Sequence, residues 1–127
     1  METEIYIKSE LFPAYPGEEE EINPGRFGKR LAEFIKELLI KENIEVADLY
    51  STDYSYELRL DQFKFSVYIS TGNIDEEKNE FLISISPKKE FKRKLFKKIP
   101  TKETVTKIYN VIKKGILNNP EIQIMEI

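Results

Sequence analysis

The side chains able to do chemistry in this chain are carboxylates, lysines, arginines, tyrosines and hydroxyls, because it contains no cysteine and no histidine. Thiolate and imidazole nucleophiles, the Ser-His-Asp triad and Cys/His zinc sites are thereby excluded, along with the one side chain that ordinarily titrates near neutral pH. Two segments concentrate charge in patterns with chemical meaning. In Asn23-Pro24-Gly25-Arg26-Phe27-Gly28-Lys29-Arg30, two glycines and the cations Arg26, Lys29 and Arg30 fall in the opening turns of a helix. Free N–H groups and the helix dipole favour an anion there. A phosphate site is one reading, although the spacing is neither a P-loop nor G-x-G-x-x-G. The other is a capped helix start whose glycines permit close packing.

The second segment, Lys88 to Lys98, interleaves cations with Phe91 and Phe96, as surfaces that meet acidic partners or nucleic acid do. Lys88, Lys89, Lys92, Arg93 and Lys97 are the candidate partner-binding residues. The alternative is a short helix whose apolar side, Phe91, Leu95 and Ile99, joins the core while its lysines are merely solvated. The run Glu18 to Glu21 can fold over this stretch as a counter-charge or stay solvated, and exposed ion pairs contribute little.

A net charge of −3 conceals this division: residues 1–87 hold 9 basic and 19 acidic side chains, residues 88–114 hold 11 and 2, and two glutamates follow. The polarity points to an acidic protein partner for the basic part. Overall acidity opposes long-range attraction to nucleic acid, which is the alternative partner. Asp48, Asp53, Glu57 and Asp61 show no calcium-loop or two-metal spacing and read as strand-surface charge, so neither metal nor cofactor is expected. Tyr50, Tyr54, Tyr56 and Tyr68 invite comparison with a base-stacking sheet. However, the strand Phe63 to Ser70 lacks the Gly and aromatic order of that motif, and Tyr54 and Tyr56 share an apolar face, so they read as core.

These groups must be positioned by elements legible from periodicity. Ile5 and Ile7 alternate with polar neighbours as in a half-buried strand, and residues 9–23, with Pro13, Pro16, Gly17 and four glutamates, read as an exposed acidic loop. A helix is expected from Pro24, capped by Asn23, with Phe27, Leu31, Phe34 and Leu38 packed on the sheet, Ile35 and Leu39 beside them, and a stop near Asn43. Period two then predicts strands over 44–50, 54–60, 63–70 and from Phe81 to Ile85, the middle pair joined at Asp61-Gln62. Phe91, Leu95 and Ile99 predict two helical turns, and Val105, Ile108, Ile112 and Ile116 a long helix ended by Asn118-Asn119-Pro120. Ile122 and Ile124 close with a strand. The order reads as α+β: an antiparallel meander with two main helices on one face, a two-layer sandwich.

At 127 residues the chain is one domain, 1–127, able to bury a core without disulfide or metal. Met1 to Glu10 lacks the basic start and apolar run of an export signal, and the most apolar window, Phe34 to Ile40, is broken by Lys36 and Glu37. Without cysteine, the expectation is a cytoplasmic protein that neither spans a membrane nor has one as a partner.

The blocks Glu20-Glu21-Ile22-Asn23-Pro24-Gly25-Arg26-Phe27-Gly28-Lys29, Thr52-Asp53-Tyr54-Ser55-Tyr56 and Pro87-Lys88-Lys89 with Phe91 and Leu95 to Ile99 resemble a family of small uncharacterised bacterial proteins. Its mark is E-E-x-I-N-P-G-R-[FY]-G-K. The middle block departs, with tyrosines in place of tryptophans and Ser55 in place of glycine. The resemblance implies a bacterial origin and no nameable activity, so no functional residue is carried over. The expectation is a non-catalytic interaction module of immunity, chaperone-like or adaptor type; any hydrolytic activity would need a divalent metal.

Overall fold

In the computed structural model, which describes residues 1–126, the alternation around Ile5 and Ile7 forms β1 (Glu4–Lys8). A single-turn helix, α1 (Glu18–Glu21), and the first long helix, α2 (Lys29–Lys41), follow. Then come β2 (Asp48–Ser51), β3 (Tyr56–Leu60), β4 (Val67–Asn73) and β5 (Glu80–Ser86). The pair β6 (Phe91–Lys94) and β7 (Lys97–Pro100), the helix α3 (Lys102–Leu117) and β8 (Gln123–Met125) complete the chain.

Six strands form one antiparallel sheet in the order β2-β3-β4-β5-β1-β8, a four-strand meander extended by β1 and β8. Pairing sets Leu58 against Ile69, Ile69 against Ile85, Ile83 against Ile5 and Phe81 against Ile7. This face is covered by Leu31, Ala32, Ile35 and Leu39 of α2 and by Val105, Ile108, Ile112 and Ile116 of α3. The opposite face, with Tyr6, Tyr50, Tyr68, Ser84 and Leu82, is partly exposed. The architecture is therefore α+β in two layers. No helix among the described residues is long and apolar enough to cross a membrane.

Several expectations are corrected. The long helix starts at Lys29, not Pro24: Asn23 and Arg26 pair across a turn in which Gly25 has φ 77°, and the chain straightens at Gly28 before coiling. Its deepest row is Leu31, Ile35 and Leu39, while Phe34 and Leu38 are only partly buried. The sheet takes the first row; Phe34 instead meets Phe12 at 5.3 Å, and Leu38 lies against Gly115 of α3. Residues 9–23 are not simply an exposed acidic loop, because Ser9, Phe12, Glu18 and Ile22 are buried, Phe12 edge-on to Phe81. Tyr54 is 63% exposed and lies outside β3, and β4 starts only at Val67 after a longer connection.

The largest correction concerns the basic segment. Instead of two helical turns it is the β6–β7 hairpin, with Leu95 and Phe96 as its two-residue turn. Only Ile99 of the Phe91, Leu95, Ile99 series packs on the core. The segment between Pro87 and Pro100 is too short to hold a helix without a packed apolar face, and the hairpin is instead anchored at its base by Ile99 on the core and by Thr101, which donates to the Glu90 and Lys89 carbonyls.

Candidate functional site

The start of α2 already holds its anion. Glu18, 3% exposed, accepts hydrogen bonds through Oε2 from the backbone N–H groups of Gly28 (2.7 Å) and Lys29 (2.9 Å), and through Oε1 from Tyr15 N–H (3.0 Å). A carboxylate from ten residues upstream thus satisfies two of the free donors and faces the positive end of the helix dipole. Beside it the buried Asn73 accepts from Phe27 N–H at 3.0 Å and donates to the carbonyls of Gly25 and Glu77. Gly28 has no alternative here, since a Cβ would lie 2.1 Å from the Thr71 carbonyl oxygen.

The three candidate anion-binding cations are engaged elsewhere. Arg26 donates to the carbonyls of Asn73 and Asp75 at 3.2 and 2.6 Å beneath the Tyr54 ring. Lys29 lies between the Tyr15 and Tyr56 rings at 5.5 and 5.7 Å, and Arg30 stacks on Tyr15 at 3.9 Å while donating to the Pro13 carbonyl. Lys29 and Arg30 share Tyr15; Arg26 stands apart. The anion-site reading of this segment gives way to the structural one, a capped and closely packed helix start.

The carboxylate and tyrosine groups also disperse. Asp48 and Asp61 flank Arg59 at 3.7 and 3.0 Å, and no group of three or more Asp or Glu among the described residues could hold a metal ion. Tyr56 faces the helices, Tyr50 and Tyr68 the open side of the sheet, and Tyr54 a loop, so they form no single stacking platform and only Tyr56 is core. Burial, aided by the Glu57 hydrogen bond, pushes the Tyr50 phenol up to about 12, and burial with a Glu2 hydrogen bond does the same at Tyr109. These shifts move away from neutrality, opposite to what a general acid or base needs.

The β6–β7 hairpin does gather the second candidate set. Every residue from Lys88 to Lys98 is exposed. Its base is tied down: Thr101 N–H donates to the Glu90 carbonyl at 2.9 Å, and the Thr101 hydroxyl donates to that of Lys89. Lys88 reaches Glu4 at 3.4 Å, Lys102 reaches Glu90 at 3.8 Å, and Lys98 lies over Phe91 at 4.1 Å. Among the described residues Lys89, Lys92, Arg93, Lys94 and Lys97 form no ion pair. Beside the base an open recess of about 680 Å³ is lined by Lys88, Lys89, Lys92, Arg93 and Lys98 around Phe91.

Three features of this hairpin oppose its own stability. Arg93 sits directly across from Lys98 and Lys94 across from Lys97, and like charges in register repel. Leu95 adopts φ 58°, a region that costs a bulky L-residue about 1 kcal/mol or more and is usually given to Gly or Asn. Leu95 and Phe96 are 91% and 102% exposed. Sequence reasoning missed these two tip residues, and Lys94 and Lys98 with them. The signal was there: the near-symmetric run Arg93-Lys94-Leu95-Phe96-Lys97-Lys98 places two apolar residues at the centre of a segment enclosed by prolines.

No family model, curated protein or solved structure matches the chain.

Proposed function

We propose that this protein is a non-catalytic docking module that engages a negatively charged surface through the β6–β7 hairpin. The observation that carries the reading is the exposed Leu95-Phe96 tip at the end of a hairpin where Arg93 faces Lys98 and Lys94 faces Lys97. Such an arrangement loses stability in the isolated chain and recovers it when a polyanion neutralises the charges and the tip leaves water. The dispersed carboxylates and the occupied start of α2 agree with a role in binding rather than catalysis.

Nucleic acid is the second reading, supported by the two-stranded ribbon, a shape that fits the major groove. The exposed apolar tip disfavours it. The test replaces Lys88, Lys89, Lys92, Arg93 and Lys97 by Ser and measures capture on anionic supports as salt is raised. The variant should keep the parent's circular dichroism and lose capture, which in the parent weakens steeply with salt. Undiminished capture by the variant would overturn the assignment. Tighter binding to duplex DNA than to every other anionic support would favour the second reading.

A further inference from the structure

Resting on that docking reading, we infer that the surface is an anionic lipid bilayer, into whose interfacial layer Leu95 and Phe96 dip while the surrounding cations stay with the headgroups. Side chains of a strand alternate between faces and cross-strand partners share one. The register therefore puts Arg93 and Lys98 on one face of the hairpin and Lys92, Lys94 and Lys97 on the other. Cations thus encircle the tip. A membrane surrounds an inserted tip with headgroups on every side, which matches cations on both faces of the ribbon. The hairpin arms, four residues each, extend about 13 Å at roughly 3.3 Å per residue, enough to hold the domain clear of the headgroups.

The charge of the whole molecule orients it in the same sense. Residues 88–98 carry seven cations and one glutamate, a net +6, so the remainder of this −3 chain is −9. Part of that negative charge sits at the far end of the sheet: β5 starts beside the turn holding Asp75, Glu76 and Glu77 and ends at Ser86, two residues before the basic segment begins at Lys88. Seven residues of strand separate the ends by about 20 Å, beyond the roughly 8 Å screening length at physiological salt. An anionic leaflet attracts the near pole without feeling the far one.

Each Lys or Arg near an anionic leaflet strengthens partition by roughly fivefold, and one or two shallow apolar side chains add a comparable factor, giving reversible attachment. The chain has no tryptophan, so Phe96→Trp introduces a single reporter at the tip. Vesicles of phosphatidylglycerol with phosphatidylcholine should shift its emission to the blue, and acyl-chain-brominated lipids should quench it. Phosphatidylcholine alone should do neither. In co-sedimentation with the anionic vesicles, Leu95→Ser with Phe96→Ser should weaken partition by about tenfold, and Lys92, Arg93, Lys94 and Lys97 to Ser by several hundredfold. Neither variant should melt below the parent, because these side chains touch no core, and the cation variant should melt slightly above it once the in-register repulsion is gone.

Polyglutamate serves as the soluble acidic-protein probe. Salt-sensitive capture by polyglutamate without a blue shift on anionic vesicles would sink the lipid assignment and keep the docking reading. Binding to neither probe would sink both. Partition unaffected by the paired Leu95→Ser and Phe96→Ser changes would also overturn tip insertion.

Discussion

Replacing Glu18 by Ala removes the acceptor of three backbone N–H bonds at 2.7, 2.9 and 3.0 Å from a side chain only 3% exposed. The Gly28 donor is fully buried and left unpaired costs about 1–3 kcal/mol; the partly buried Lys29 and Tyr15 donors regain some water, and loss of a helix cap costs about 0.5–2 kcal/mol. The total is roughly 2–5 kcal/mol, about 6–20 °C in melting temperature for a domain of this size. Urea and thermal denaturation measure it, with Glu19→Ala as a control that removes an exposed neighbouring carboxylate and should change stability by less than about 0.5 kcal/mol. A second readout separates cap from bulk packing: phosphate should occupy the vacated helix start and restore part of the loss in Glu18→Ala while leaving the parent unmoved. If the variant melts within about 1 kcal/mol of the parent, or phosphate stabilises both equally, Glu18 is not the internal anion of α2.

Gly28→Ala should destabilise by at least about 3 kcal/mol, because its Cβ would meet the Thr71 carbonyl at 2.1 Å and only backbone movement relieves it; near-parental denaturation would contradict that packing. Ile35→Ala, at the fully buried row of α2, should cost about 3–4 kcal/mol and Phe34→Ala, half-covered by Phe12, about 2 kcal/mol, so the reverse order in urea midpoints would place the wrong row on the sheet. The folded protein holds the Tyr50 and Tyr109 phenol protons more tightly than the unfolded chain, with values raised from 10.0 to about 12, so their contribution is intact below pH 10 and is lost as pH rises toward about 12. Tyr109→Phe should make that alkaline loss shallower in denaturation across the same range; an unchanged slope would refute the coupling.

Where structure agreed with periodicity, the pattern was long and one-sided. The row Val105, Ile108, Ile112 and Ile116 specifies α3 over four turns, and the alternation Phe81, Ile83, Ile85 specifies β5. Asn43, expected to end the first helix, takes φ 60° just beyond it. Where the pattern was short, coincidence prevailed. Phe91, Leu95 and Ile99 stand four apart and imitate a helix, but three residues carry too little apolar surface to hold one, and hairpin pairing won. The candidate site suffered most from this: five of its cations were legible, whereas Leu95, half of the tip that gives them direction, was read as core.

Composition and local period, by themselves, determined the class of fold, the absence of His and Cys chemistry and the concentration of positive charge in one segment, since these depend on residue type and near neighbours along the chain. Tertiary structure alone decided which charges are free. Glu18 and the Gly28 N–H it binds are ten residues apart, Asn73 and the Phe27 N–H it accepts forty-six, and no sequence period reports such pairings. Two cation-bearing segments were separated that way. One has its cations consumed by carbonyls and tyrosine rings that folding brings to them, and the other is held in water by a hairpin too short and too charged to bury them.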